Sequence, residues 1–210
     1  MSKKRTENVV CPGCGEQFET MIWESLNAEI NPAESEKLRD GTLFLISCPK
    51  CENNFQLIYP ILYHDMTSKV MVQLILNEKE ADDFVNALKS DTWENLAAEG
   101  YKYRLVRTLN GLREKAMVFS CGLDDRVVEC MKLVYFTFLT EKYPEMKDPE
   151  MLFYHIESSV LVFFSEGKPV FDVEFDMGKY TEIASDARID FEGKSQDCLF
   201  IDREWALGLL

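Results

Sequence analysis

Four thiols arranged as two matching turns constrain this chain more than anything else in it. Cys11-Pro12-Gly13-Cys14 and Cys48-Pro49-Lys50-Cys51 are each a Cys-Pro-x-Cys unit, and 33 residues separate them. This spacing lets one tight turn present two sulfurs to the same point, and a tetrahedral Zn²⁺ takes four thiolates at about 2.3 Å. Pro12 and Pro49 fix the backbone after the first thiol of each pair. Gly13 and Gly15 let the chain fold back so that amide N–H groups point at the sulfurs and disperse their charge. Lys50, inside the second turn, and Lys3, Lys4 and Arg5, ahead of the first, offer positive charge to a net negative centre. Cys11, Cys14, Cys48 and Cys51 are therefore expected to ligate one metal. Zinc is the expected ion, and iron in a rubredoxin-like centre would use the same four thiolates. Four cysteines close the coordination shell, so the site reads as structural rather than catalytic. A dithiol redox pair needs a turn that opens a helix, and neither turn precedes a predicted one.

Composition excludes several classes. The 14 Phe and 8 Tyr in 210 residues rule out low-complexity disorder. No 18-residue apolar run exists for a membrane helix; the densest stretch, 127–139, is interrupted by Glu129 and Lys132. Seven cysteines, an odd number, speak against a secreted disulfide scaffold. The run from Met1 to Arg5 turns polar with no apolar signal segment after it, which places the protein in the cytoplasm. A net charge of -14 repels phosphate backbones and argues against non-specific nucleic-acid binding. The acidity is read as solubility. It is uneven: residues 1–60 carry six Lys+Arg against nine Asp+Glu, and residues 61–210 carry 17 against 28.

The pattern along the chain predicts an α+β fold. A zinc-ribbon-like β unit over 1–66 continues into an α/β segment, 67–145, and a β-rich extension, 146–210. Strands are expected at 6–11 and 17–22, flanking the first turn, and at 42–47 and 54–62, flanking the second. Asn31 as N-cap, Pro32 at the first helical position and Gly41 as a left-handed stop frame a short helix between the turns. A hairpin is expected around His64, with strands 54–62 and 69–76, then an amphipathic helix over 78–89 and a strand over 101–108. Asn110 or Gly111 starts a further helix. Asp124 then caps a long central helix to about Tyr143, apolar on most sides and so read as the buried centre of a domain. Three antiparallel strands follow at 152–157, 160–165 and 168–175, then a helix near 179–188 and an apolar carboxy-terminal end that docks on the body.

The two Cys-Pro-x-Cys turns resemble the CpXC family, named for this doubled motif. So do Asp40-Gly41-Thr42-Leu43-Phe44, Tyr59-Pro60-Ile61-Leu62-Tyr63-His64-Asp65, Leu112-Arg113-Glu114-Lys115 and the segment Gly122-Leu123-Asp124-Asp125-Arg126-Val127-Val128-Glu129. The resemblance covers about residues 8–140. It implies metal ligation by Cys11, Cys14, Cys48 and Cys51 in a bacterial or archaeal protein, and no activity. One departure stands out. Such turns often end in glycine, as at Gly15, but position 52 is Glu; Asn53 tolerates a left-handed conformation, so the second turn is expected to close differently.

Other chemistry-bearing residues have plainer readings. Cys121, Cys130 and Cys198 read as free thiols behaving as small hydrophobes. His64 beside Asp65 reads as a turn histidine, and His155 as one on a sheet face. Asp172, Glu174 and Asp176 alternate with apolar residues and read as one solvated strand face. Asp124, Asp125 and Arg126 read as helix capping. The expected function is a cytoplasmic metal-binding module with a structural Zn(Cys)4 site, whose body binds a protein partner or small ligand. One alternative is an enzyme using His64, Asp65 or the 172–176 carboxylates, which requires them to converge in one cleft. The other is a nucleic-acid-associated ribbon, which requires a local basic face.

Overall fold

The first cysteine turn is the tip of a long antiparallel hairpin, β1 (Lys3–Val10) and β2 (Gln17–Asn27). Its register runs from Val10 opposite Gln17 back to Lys3 opposite Ser25. This computed structural model describes residues 2–147, 149–155, 158–191 and 198–209. Both strands outrun their predicted ends. β2 continues because Ile22, Trp23 and Leu26 reach the core, while its first five residues stay exposed or half-buried.

The described residues form two compact units, Met1–Arg113 and Glu114–Leu210. In the first, a five-stranded sheet has the order β1-β2-β5-β6-β7, with β5 at Ile61–Asp65, β6 at Val70–Leu74 and β7 at Lys102–Val106. β2 and β5 are parallel, as are β6 and β7, and β5 and β6 form the expected hairpin. Parallel neighbours need long crossovers. The first contains α1 (Pro32–Asp40) and a small hairpin, β3 (Leu45–Ser47) with β4 (Asn54–Gln56), which carries the second cysteine turn. The second contains α2 (Glu78–Leu88) and α3 (Asp91–Ala98). Ile22, Leu26, Leu38, Phe44, Ile61 and Leu74 are buried at the centre.

Several expectations change. The single strand over 54–62 divides into β4 and β5: Leu57 N–H turns to donate to the Phe44 carbonyl, and Pro60 has no N–H to continue a ladder. Helix α3 was not legible because it buries no residue of its own; Trp93 instead packs edge-on against Phe84, and its carbonyl accepts from the Tyr103 hydroxyl. Asn31 holds the N-cap position of α1, but its side chain makes no cap hydrogen bond, and Oδ1 is buried without a partner. At the other end of α1, Gly41 takes φ 87, as expected. The Arg113 guanidinium reaches that end and donates to the Arg39 and Asp40 carbonyls.

The chain passes into the second unit within α4 (Leu109–Ser120), which ends at Gly122 with φ 69. Then comes α5 (Asp125–Lys142), capped by the Asp124 side chain. Strands β8 (Glu150–His155), β9 (Ser159–Ser165) and β10 (Lys168–Glu174) form an antiparallel sheet in the order β10-β9-β8. Helices α6 (Met177–Ala184) and α7 (Arg203–Leu207) pack on α5. Met131, Phe153, Leu161 and Phe163 are fully buried in this core. The expected all-round burial of α5 is corrected on both counts. Val134 and Phe138 are 50% and 60% exposed, while Asp125, Glu129 and Lys132 are buried. No helix among the described residues is long and apolar enough to cross a membrane.

Candidate metal centre

The two cysteine turns are built alike. Cys11 N–H donates to the Glu16 carbonyl and Gly15 N–H to that of Cys11; Cys48 N–H donates to the Asn53 carbonyl and Glu52 N–H to that of Cys48. Gly15 has φ 72 and Glu52 has φ 58. The expectation that Asn53 would take the left-handed position is therefore corrected: Glu52 itself adopts it, and the second turn closes as the first does. The shared hydrogen-bond pattern leaves the chain only this way back, even for a residue with a Cβ.

Together the turns bring all four sulfurs to within 4.8 Å of one another. Cys11 Sγ lies 3.6 Å from Cys51 Sγ, and Cys14 Sγ lies 3.7 Å from Cys48 Sγ. Four sulfurs at about 2.3 Å from a tetrahedral ion stand about 3.8 Å apart, so these distances fit the edges of such a shell. The first cysteine of each turn is buried and the second exposed. Gly13 N–H donates to Cys11 Sγ at 3.3 Å, as the glycine-rich turn predicts.

The thiols of the cluster influence one another. Burial raises Cys11, but the amides of Cys14 and Gly13 and the thiols of Cys48 and Cys51 outweigh it and bring it to about 7. At Cys51 the Asn53 amide lowers the thiol, but Cys14, desolvation, Cys11 and Cys48 push it up to about 12. The arrangement thus favours the thiolate of Cys11 and opposes that of Cys51, and a cation held among the sulfurs would favour both.

Apolar support beneath the turns is thin. Phe18 and Phe55 meet edge to face at 6.4 Å, and β3 and β4 are three residues each with mostly exposed side chains. A hairpin that short is marginal alone. Lys50 is at the site, held by Glu16 Oε2 at 2.7 Å, and that carboxylate raises it. The other expected cations are engaged along the hairpin: Lys3 with Glu24, Arg5 with Glu7, and Lys4 over the Trp23 ring.

A family model described as CpXC protein matches residues 9–132, more than half of the chain. The chain belongs to the CpXC family. No curated protein and no solved structure matches it. Membership and the four-cysteine cluster together point to a metal-binding domain.

The weaker candidates are committed to local structure. Asn27 Nδ2 lies 3.3 Å from His64 Nδ1, and Tyr101 Oη lies 3.2 Å from Nε2, so the amide donates to one nitrogen and the other donates to the phenol. Burial lowers the His64 pKa. Asp65 accepts from the Ser68 N–H and hydroxyl and closes the β5–β6 turn. His155 Nδ1 lies 2.9 Å from the Oγ of Ser159, its partner in the β8–β9 register. Asp172 and Glu174 are exposed on β10, whereas Asp176 has left the strand and caps α6. Asp124 caps α5 and holds the Arg126 guanidinium. Cys121, Cys130 and Cys198 stay outside the metal cluster, and burial pushes the Cys130 thiol up to about 11.

Sequence reasoning missed the polar cluster formed by Glu114, Lys115, Asp125, Glu129 and Lys132. The signal was present: Glu129 and Lys132, three apart, interrupt the densest apolar run in the chain.

Proposed function

We propose that this CpXC protein binds one zinc ion through Cys11, Cys14, Cys48 and Cys51, that the site is structural, and that the body serves as a cytoplasmic binding module for a protein partner or small ligand. The carrying observation is the four-sulfur cluster built from two matching turns on different hairpins. The structural role rests on the closed donor set and on the short, exposed β3–β4 hairpin, which the metal would tie to the β1–β2 hairpin. The cytoplasmic reading is supported by the thiols: all seven cysteines are free. Against the nucleic-acid alternative stands the engagement of Lys3, Lys4, Arg5 and Lys50 by acids and an aromatic ring.

The test is the metal content and visible spectrum of protein purified without chelator, alongside Cys48→Ser. One colourless zinc per chain, lost with a fall in melting temperature in Cys48→Ser, is the expected result. A red, iron-bearing protein with thiolate charge-transfer bands would turn the reading to electron transfer. Unchanged zinc content and stability in Cys48→Ser would sink it.

A further inference from the structure

β1 is an outer strand of the first unit's sheet, with β2 on one side and no described strand on the other. The register tells which of its backbone groups face outwards. Cys11 N–H donates to the Glu16 carbonyl, and from Val10 opposite Gln17 to Lys4 opposite Trp23 the pairing runs without a shift. Backbone direction alternates along such a ladder. Val9, Glu7 and Arg5 therefore turn their N–H and C=O groups to β2, and Val10, Asn8, Thr6 and Lys4 turn theirs away. Those last four residues are all exposed, and their outward groups make no backbone hydrogen bond among the described residues. An open row of this kind is a template for another strand.

The usual defences of such an edge are weak here. Between Lys4 and Val10 there is no proline and no register shift. Free cations would repel a second edge, but Lys3 pairs with Glu24, Arg5 with Glu7, and Lys4 lies over the Trp23 ring. The acidity that would hold two copies apart lies mostly elsewhere, since residues 1–60 carry six basic against nine acidic residues in a chain of net -14.

Two copies related by a two-fold axis would set β1 antiparallel to itself. Outward groups must meet outward groups, so the axis passes through a residue rather than between two. Centred on Thr6, the pairing lets Lys4 exchange hydrogen bonds with Asn8 of the second copy, and Thr6 with Thr6. Arg5 then stands opposite Glu7 of the second copy, in the non-hydrogen-bonded position where side chains come closest. Centred on Glu7, the pairing sets Glu7 against Glu7; centred on Arg5, it sets Arg5 against Arg5. Charge thus selects one register. In it Lys3 falls opposite Val9, where a cavity of about 350 Å³ lined by Val9, Leu57 and Tyr59 leaves room.

We propose that the β1 edge is a self-association surface on which two copies pair antiparallel about Thr6, each Arg5 opposite the other copy's Glu7, so that their sheets join into one. This goes beyond the metal reading and holds whichever ion the cysteines bind.

One strand pair is a small interface and such interfaces are weak, so sedimentation of the full chain is followed from about 1 to 100 μM. The mass should rise towards twice that of the chain. Arg5→Glu and Glu7→Arg each set like charges opposite one another and should keep the protein monomeric, and the two substitutions together should restore the dimer. Amide hydrogen exchange read residue by residue locates the contact. The outward N–H groups of Thr6 and Asn8 should be protected in the dimer and lose protection in Arg5→Glu. Those of Glu7 and Val9, turned to β2, should keep theirs and so show that the hairpin is still folded. A protein monomeric throughout that range, its edge left to a strand of some other protein, would overturn the proposal. So would a dimer that survives both single variants, a double variant that stays monomeric, or a dimer in which the Thr6 and Asn8 amides exchange freely.

Discussion

At position 52 a glutamate holds φ 58, a conformation in which its Cβ crowds the following carbonyl. Its counterpart, Gly15, has φ 72 without that cost. Glu52→Gly is therefore expected to stabilise the metal-loaded protein by about 0.5–1 kcal/mol, the strain relieved less the added freedom of the unfolded chain. Gly15→Ala should cost about 1 kcal/mol, and denaturant midpoints of the metal-loaded proteins decide both. Glu29 is a second case of one residue set by its surroundings. Desolvation raises it, but the amides of Thr67 and Met66 outweigh that and bring its carboxyl from 4.5 to about 2. The folded state thus keeps Glu29 charged where the unfolded chain takes up a proton. Its contribution is full above pH 4.5 and is lost as pH falls towards 2. Glu29 is exposed, so the effect is modest. Glu29→Gln should flatten the fall of the unfolding midpoint between pH 4.5 and 2.

Among the elements, α1 shows two signals meeting at one end. Gly41 stops the helix at φ 87, and a Cβ there would lie 3.1 Å from the Arg113 guanidinium carbon. Gly41→Ala is expected to cost about 1–2 kcal/mol, combining left-handed strain with displacement of that side chain. Arg113→Met removes the cation bonded to two terminal carbonyls and should cost about 1–2 kcal/mol by thermal unfolding. The β3–β4 hairpin makes a different prediction. With so little apolar area of its own, it should lose hydrogen-exchange protection at its amides when metal is chelated, while β5 and β6, in the buried sheet, keep theirs. Equal loss across all four strands would mean that the metal supports the whole unit.

For the whole molecule, charge is the controlling quantity. Residues 114–210 hold twenty acidic against ten basic residues, most of the net -14. Self-repulsion of that size opposes the compact state and is screened by salt. Raising sodium chloride from about 0.01 to 0.15 M shortens the screening length from about 30 to 8 Å. The melting transition should move upwards, and a downward shift would show attractive pairs dominating instead.

Much of this was legible in the linear chain. The four sulfurs, the Gly41 stop, the Asp124 cap and the three strands of the second sheet follow from local rules, because turn conformation, helix ends and strand alternation depend on residues a few positions apart. The choices made by distant partners were not. Glu52 takes a conformation that its own side chain disfavours, because Cys48 and Asn53 bond around it as Cys11 and Glu16 do around Gly15. The break at Leu57 depends on the Phe44 carbonyl, and the conformation of Arg113 on an α1 far away in sequence. Glu129 and Lys132 read as interruptions of an apolar run, yet both are buried, because Glu114 and Lys115 on α4 stand opposite them. The sequence by itself determined which thiols could share a metal and where the chain turns. Only the tertiary structure decided which charges leave water, since the cost of burying a charge is offset by a partner that no local pattern names.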